Sequence, residues 1–149
     1  MREILFRGKR LDNGKWVEGY LYEHEPPLVG IVPENYVPEP SKWFIVRTAF
    51  ADWNLPRQIG FVEVDPSTVG QYTGLKDMND KRIFEGDILG SRYDDLYPYD
   101  ETIEVVKWFR NGWHIQQCEY LQDAMDGDGV IPYSEVIGNI HDNPELLDK

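Results

Sequence analysis

Apolar and polar residues alternate along much of this chain with the two-residue period of half-buried strands, and turn-forming residues interrupt the alternation repeatedly. Trp16-Val17-Glu18-Gly19-Tyr20-Leu21-Tyr22 shows the pattern, and Arg2-Glu3-Ile4-Leu5-Phe6-Arg7-Gly8 can form a strand before it. Asn13-Gly14 lies between them, and both residues tolerate the positive φ of a tight turn, so the chain is expected to open with a β-hairpin. Further strands are expected at Trp43–Arg47, Gln58–Val64, Val69–Thr73, Arg82–Phe84, from Ile88, Thr102–Phe109, Trp113–Ile115 and Glu135–Ile140, with a brief one at Ile31-Val32. Turns fall at Asp65-Pro66-Ser67-Thr68, across Gly74 to Lys81, at Glu85-Gly86-Asp87 and at Arg110-Asn111-Gly112.

Helical patterning is sparse. Ala49 to Pro56 reads as a helical turn or a loop, Cys118 to Met125 as one or two helical turns, and Ser91 to Glu101 as an exposed acidic loop. Asp142-Asn143-Pro144-Glu145-Leu146-Leu147 has the form of a capped terminal helix, with proline at the first helical position and an acid in the first turn. Pro26, Pro27, Pro33, Pro38 and Pro40 remove backbone donors, so residues 23–56 read as an insertion or subdomain within one domain spanning 1–149. The expected fold is mainly β: an SH3-like barrel or a strongly bent antiparallel sheet with short helical segments, one of them C-terminal.

Composition supports a packed core. Hydrophobic residues make up 41% of the 149 positions and aromatics 13%, more than a disordered chain carries. The net charge of −12 repels phosphate backbones and anionic lipid, which makes nucleic acid and membrane unfavourable partners. A lone cysteine, Cys118, excludes an internal disulfide and suits a reducing compartment. The opening apolar run is only Ile4-Leu5-Phe6, too short for a signal-peptide core, so a cytoplasmic protein is expected.

Candidate chemistry is thin. His24, His114 and His141 never stand at the spacing of a helical metal site. An EF-hand-type loop begun at Asp126 would need ligands where Val130 and Ile137 stand. Asp94, Asp95, Asp100 and Glu101 can supply paired carboxylates for acid–base chemistry, yet acidic loops are more often simply solvated. No serine sits in a nucleophile elbow, Cys118 has no evident activating base, and Gly70-Gln71-Tyr72-Thr73-Gly74 lacks the lysine of a phosphate-holding loop. The expectation is a non-enzymatic protein with no cofactor, no metal and no catalytic residues. Two alternatives stay open: a metal-dependent hydrolase using the acidic loops, and a nucleic-acid-binding module using Lys9, Arg10 and Lys15 or Lys76, Lys81 and Arg82.

Several blocks together resemble the YopX family of phage and prophage proteins. They are Val64-Asp65-Pro66-Ser67-Thr68-Val69-Gly70-Gln71-Tyr72-Thr73-Gly74-Leu75-Lys76-Asp77, Ile83-Phe84-Glu85-Gly86-Asp87-Ile88, and Val136-Ile137-Gly138-Asn139-Ile140-His141-Asp142-Asn143-Pro144-Glu145-Leu146-Leu147. Arg7-Gly8-Lys9 followed by Gly14-Lys15-Trp16-Val17 and Gly19 also fits. The resemblance implies a phage-encoded, mainly β protein with an SH3-like barrel element and ring-like oligomers, acting in a bacterial host cell. It implies no catalytic residues. The function expected is therefore an accessory role exercised through contact with other proteins, namely copies of itself and another phage or host protein.

Overall fold

Strand-forming residues come in short runs throughout the chain, and the computed structural model places eleven strands among the described residues. It describes residues 3–28, 30–50, 58–92, 101–110, 112–115, 128–130 and 132–148. The chain divides into two units, Leu5–Val69 and a second made of Met1–Ile4 with Gly70–Lys149.

The first unit is an antiparallel meander of β1 (Phe6–Lys9), β2 (Trp16–His24), β3 (Lys42–Phe50) and β4 (Gln58–Val64), in the order β4-β3-β2-β1. Gly14 takes φ 68° in the first turn, and the Asn13 side chain accepts the Lys15 N–H at 2.9 Å. Alternation then sorts the side chains. Val17, Ile45 and Val64 form a buried cluster with Phe6, Leu21, Trp43, Val62 and Val69 against it. Gly19 must stay small because an added Cβ would lie 2.4 Å from the Val46 carbonyl oxygen.

The meander curls far enough for its ends to meet. Arg10 bridges Val64, Asp65 N–H donates to the Lys9 carbonyl at 2.8 Å, and Lys9 N–H donates to Thr68 Oγ1 at 2.8 Å. Thr68 belongs to a 3-10 turn, Pro66–Thr68, capped by Asp65, whose carboxylate accepts the Ser67 N–H at 2.9 Å. The strongly bent antiparallel sheet is present. The described strands do not close into a barrel, the other architecture expected, because this junction is a single bridge rather than a continuous ladder.

The second unit holds β5 (Gly70–Lys76) and β6 (Arg82–Phe84), a three-stranded sheet ordered β11-β7-β8 from β7 (Asp87–Arg92), β8 (Glu101–Val105) and β11 (Ser134–Asn139), and a hairpin of β9 (Lys107–Phe109) and β10 (Gly112–His114). Leu75, Ile83, Leu89, Val106, Trp113 and Ile115 make its core, with Val136 packed against them.

Three features depart from the sequence reading. Gly74, expected in a turn, lies inside β5 at φ 86°, where the pairing with β6 shifts register between Tyr72 and Lys76. There the Thr73 hydroxyl donates to the Ile83 carbonyl at 2.8 Å and accepts from Leu75 N–H at 3.1 Å, filling the interrupted ladder. The single strand expected over Thr102–Phe109 is two, because Val106 leaves the β7 ladder to exchange backbone bonds of 2.9 Å with Gly86 and Asp87. Ile31-Val32 is no strand, since the prolines around it deny a partner strand its donors.

The C-terminal helix is a four-residue 3-10 turn, Pro144–Leu147. Asn143 makes no side-chain cap; its Oδ1 instead lies where a Cβ on Gly138 would come within 2.6 Å. The expectations for residues 51–56, 93–100 and 118–127 lie outside the described residues, Cys118 among them.

Candidate functional site

The period-2 pattern that turns Val17, Leu21, Ile45 and Val62 inward turns their neighbours outward, and in the first unit all of those neighbours but Glu18 and Glu63 are also apolar. Tyr22 pairs with Phe44, and Val46 with both Tyr20 and Phe61, so the rings of three strands share one side of the sheet. Tyr22, Phe44 and Phe61 touch, with centroid separations of 6.5 Å, 6.1 Å and 6.4 Å. Tyr20, Ile59 and Phe61 remain 65%, 69% and 60% exposed. Together they form a contiguous, partly exposed apolar surface.

Polar groups rim the patch. Tyr22 Oη lies 3.3 Å from His24 Nδ1 at the strand end. On the outward side of β1, the Arg7 guanidinium lies 4.7 Å and Lys9 Nζ 5.7 Å from the centroid of the Trp16 ring. Arg10 is bound by Asp12, and that hydrogen bond raises the arginine pKa and lowers that of the carboxylate. Beyond His24, the described residues of 25–41 form an excursion without strands, turning where Tyr36 N–H donates to the Pro33 carbonyl at 2.9 Å.

The second unit concentrates its polar groups in backbone knots. Buried Asp77 accepts Asn79 N–H at 2.8 Å and Lys81 N–H at 2.9 Å on one oxygen, and Val136 N–H at 2.9 Å on the other. Buried Asp87 accepts Phe84 N–H at 2.8 Å beside Gly86, whose φ is 81°. Asn139 Oδ1 accepts the N–H groups of His141 and Asp142, each at 3.0 Å. These groups hold turns together. Asp77 thus spends three of a carboxylate's roughly four acceptor sites on main-chain donors.

The residues that the sequence offers for chemistry scatter. His24 ends β2, His114 lies against the Phe109 ring at 5.4 Å in β10, and His141 sits in the turn after β11. Among the described residues no three His, Cys, Asp or Glu side chains gather as a metal site. Asp94, Asp95 and Asp100 lie outside the described residues, and so does Asp126. Lys76 is paired with Asp80 at 2.6 Å, a hydrogen bond that raises its pKa, and Arg82 reaches Glu3 at 3.4 Å. Among the described residues no helix is long and apolar enough to cross a membrane. The outward aromatic cluster escaped the sequence reading, although its signal is present: in Trp43–Val46 and Ile59–Val62 both alternating sets carry apolar residues.

The architecture is that of a mainly β protein built from antiparallel sheets. A family profile described as "YopX protein" matches residues 35–148, and the chain belongs to that family. A crystal structure of protein EF1440 from Enterococcus faecalis has a similar fold, with a TM-score of 0.52, 21% identity and 99% of each chain covered. No curated protein matches the sequence.

Proposed function

We propose that this YopX-family chain is a non-enzymatic phage or prophage accessory protein that works in the bacterial cytoplasm by protein–protein contact, including contact with copies of itself. The observation that carries the reading is the outward patch of Tyr20, Tyr22, Phe44, Ile59 and Phe61. An acidic chain of net charge −12 disfavours self-association by repulsion, so an uncharged patch of this size is where contact can still be favourable. Light scattering across a dilution series, with and without divalent cations, tests it. A stable multiple of the single-chain mass supports an assembling protein. A monomer whose mass changes only with metal would favour a metal-dependent hydrolase using the acidic loops.

Nucleic-acid binding ranks below both. Its support is the Trp16 ring flanked by Arg7 and Lys9, a small basic and aromatic surface in a strongly acidic chain. Binding to single-stranded DNA that weakens steeply with salt would raise it.

A further inference from the structure

The excursion between β2 and β3 carries the most exposed apolar side chains of the first unit. Leu28, Ile31 and Val37 are 102%, 90% and 83% exposed, so they rest on nothing among the described residues. Five prolines fix φ along residues 25–41, which lowers the conformational entropy lost when such a segment docks. The same segment carries Glu25, Glu34 and Glu39 and no lysine or arginine.

The described strands and turns of the unit have the opposite balance. Residues 5–24, 42–50 and 58–69 contain six Lys or Arg (Arg7, Lys9, Arg10, Lys15, Lys42, Arg47) against five Asp or Glu. The strand register puts Arg7, Lys9 and Lys42 on the outward side together with Glu18 and Glu63, so in a protein of net charge −12 that side carries a small positive excess around its apolar centre. The acidic, apolar excursion therefore matches the outward face of the sheet both in polarity and in charge.

We propose that residues 25–41 form an arm that docks on the outward face of β2, β3 and β4 of a second copy of this chain. The inference rests on the self-assembly reading and names its surface. Rings placed as Tyr20, Tyr22, Phe44 and Phe61 are suit the proline-punctuated sequence of such an arm. When two copies exchange arms, the partly exposed rings of the face and the exposed Leu28, Ile31 and Val37 of the arm together offer on the order of 800 Å² per copy. A specific interface needs roughly 800 Å² per partner, so the area suffices.

The test uses the full chain in three forms: wild type, an arm variant (Leu28→Ser, Ile31→Ser, Val37→Ser) and a face variant (Tyr20→Ser, Phe61→Ser). All five positions are exposed, and thermal melting confirms that each variant folds. Should the face variant unfold, Ile59→Glu replaces it, which sets a like charge against the acidic arm. Wild type is expected as an oligomer, each variant at single-chain mass, and a mixture of the two variants at higher mass again, because each supplies the half the other lacks. An oligomer that survives in both variants overturns the arm while leaving self-assembly intact. Wild type at single-chain mass throughout overturns both. Failure of the mixture to regain mass overturns the arm-to-face pairing.

Discussion

The Asp77 carboxylate accepts the backbone N–H of Val136, 59 positions away, at 2.9 Å. Its other oxygen holds Asn79 and Lys81 N–H groups in the turn before β6, so one buried side chain ties the β5–β6 hairpin to β11. Asp77→Asn keeps the volume but replaces one oxygen with an NH₂ that faces a main-chain donor. A buried hydrogen bond to a charged group contributes about 1.5–3 kcal/mol, and an unsatisfied donor costs about 1–3 kcal/mol more, so a loss of about 2.5–6 kcal/mol is expected. Urea unfolding measures it. A change within about 0.5 kcal/mol, typical of surface substitutions, would show that the knot contributes little.

The Asp77 knot illustrates what the sequence does and does not reveal. Asp77, Asn79 and Asp80 advertise turn chemistry, and the neighbouring apolar runs advertise strands, so that turn was legible, although Gly74, which reads as part of it, lies inside β5. That Asp77 reaches Val136 was not, because nothing in either segment names a partner 59 residues away. The division of Thr102–Phe109 was hidden for the same reason: Val106 turns aside to bond Gly86 and Asp87, a tertiary demand that overrides a strong local strand pattern. The outward rings of β2 to β4 were half legible. Alternation identifies Tyr20 and Tyr22 as facing away from Leu21, but it takes the strand register to bring Phe44 and Phe61 beside them.

Glycine at position 19 is required by space, whereas glycine at position 14 is required by backbone angle. A Cβ at Gly19 would stand 2.4 Å from the Val46 carbonyl oxygen, a main-chain atom held in the β2–β3 ladder. Gly19→Ala is expected to cost about 1–3 kcal/mol through forced displacement of the strand. Gly14 has nothing within 4 Å of the added atom and only its φ of 68° to maintain, so Gly14→Ala should cost about 1 kcal/mol. Thermal unfolding of both variants gives the order. A milder effect at Gly19 would mean that β2 and β3 separate readily.

Alkaline pH should weaken the second unit through Tyr72. Burial raises its phenol pKa above 10.0, while Arg82, 5.7 Å from the ring centroid, pulls in the other direction. An acid whose folded pKa is raised keeps its proton better when folded. Its stabilising contribution is therefore complete below the unfolded pKa and is lost as pH rises through the interval up to the folded one. Stability is expected to fall above about pH 10, where the unfolded phenol ionises. Tyr72→Phe keeps the ring packed on Phe84, 5.5 Å away, and should flatten that decline. Denaturant midpoints for the two proteins at a series of alkaline pH values test this. Identical slopes would remove Tyr72 as the cause, leaving the Lys76–Asp80 pair, which also loses its attraction as Lys76 deprotonates.

Two tryptophans meet edge-on at 4.9 Å in the β9–β10 hairpin, and their burial is unequal. Trp113 is 1% exposed within the core of Leu75, Ile83 and Leu89, whereas Trp108 is 48% exposed. Trp113 Nε1 has no hydrogen-bond partner among the described residues, so replacing the indole by phenyl sacrifices volume and contacts rather than a polar bond. Trp113→Phe is expected to cost about 2–4 kcal/mol, the lower part of the range for large-to-small core changes, because part of the ring remains. Trp108→Phe should cost at most about 1 kcal/mol, the value of one weakened edge contact. Guanidinium unfolding followed by circular dichroism compares them without relying on tryptophan emission. Similar losses for the two would place Trp108 under cover in solution, as docking of the hairpin against another molecule would do.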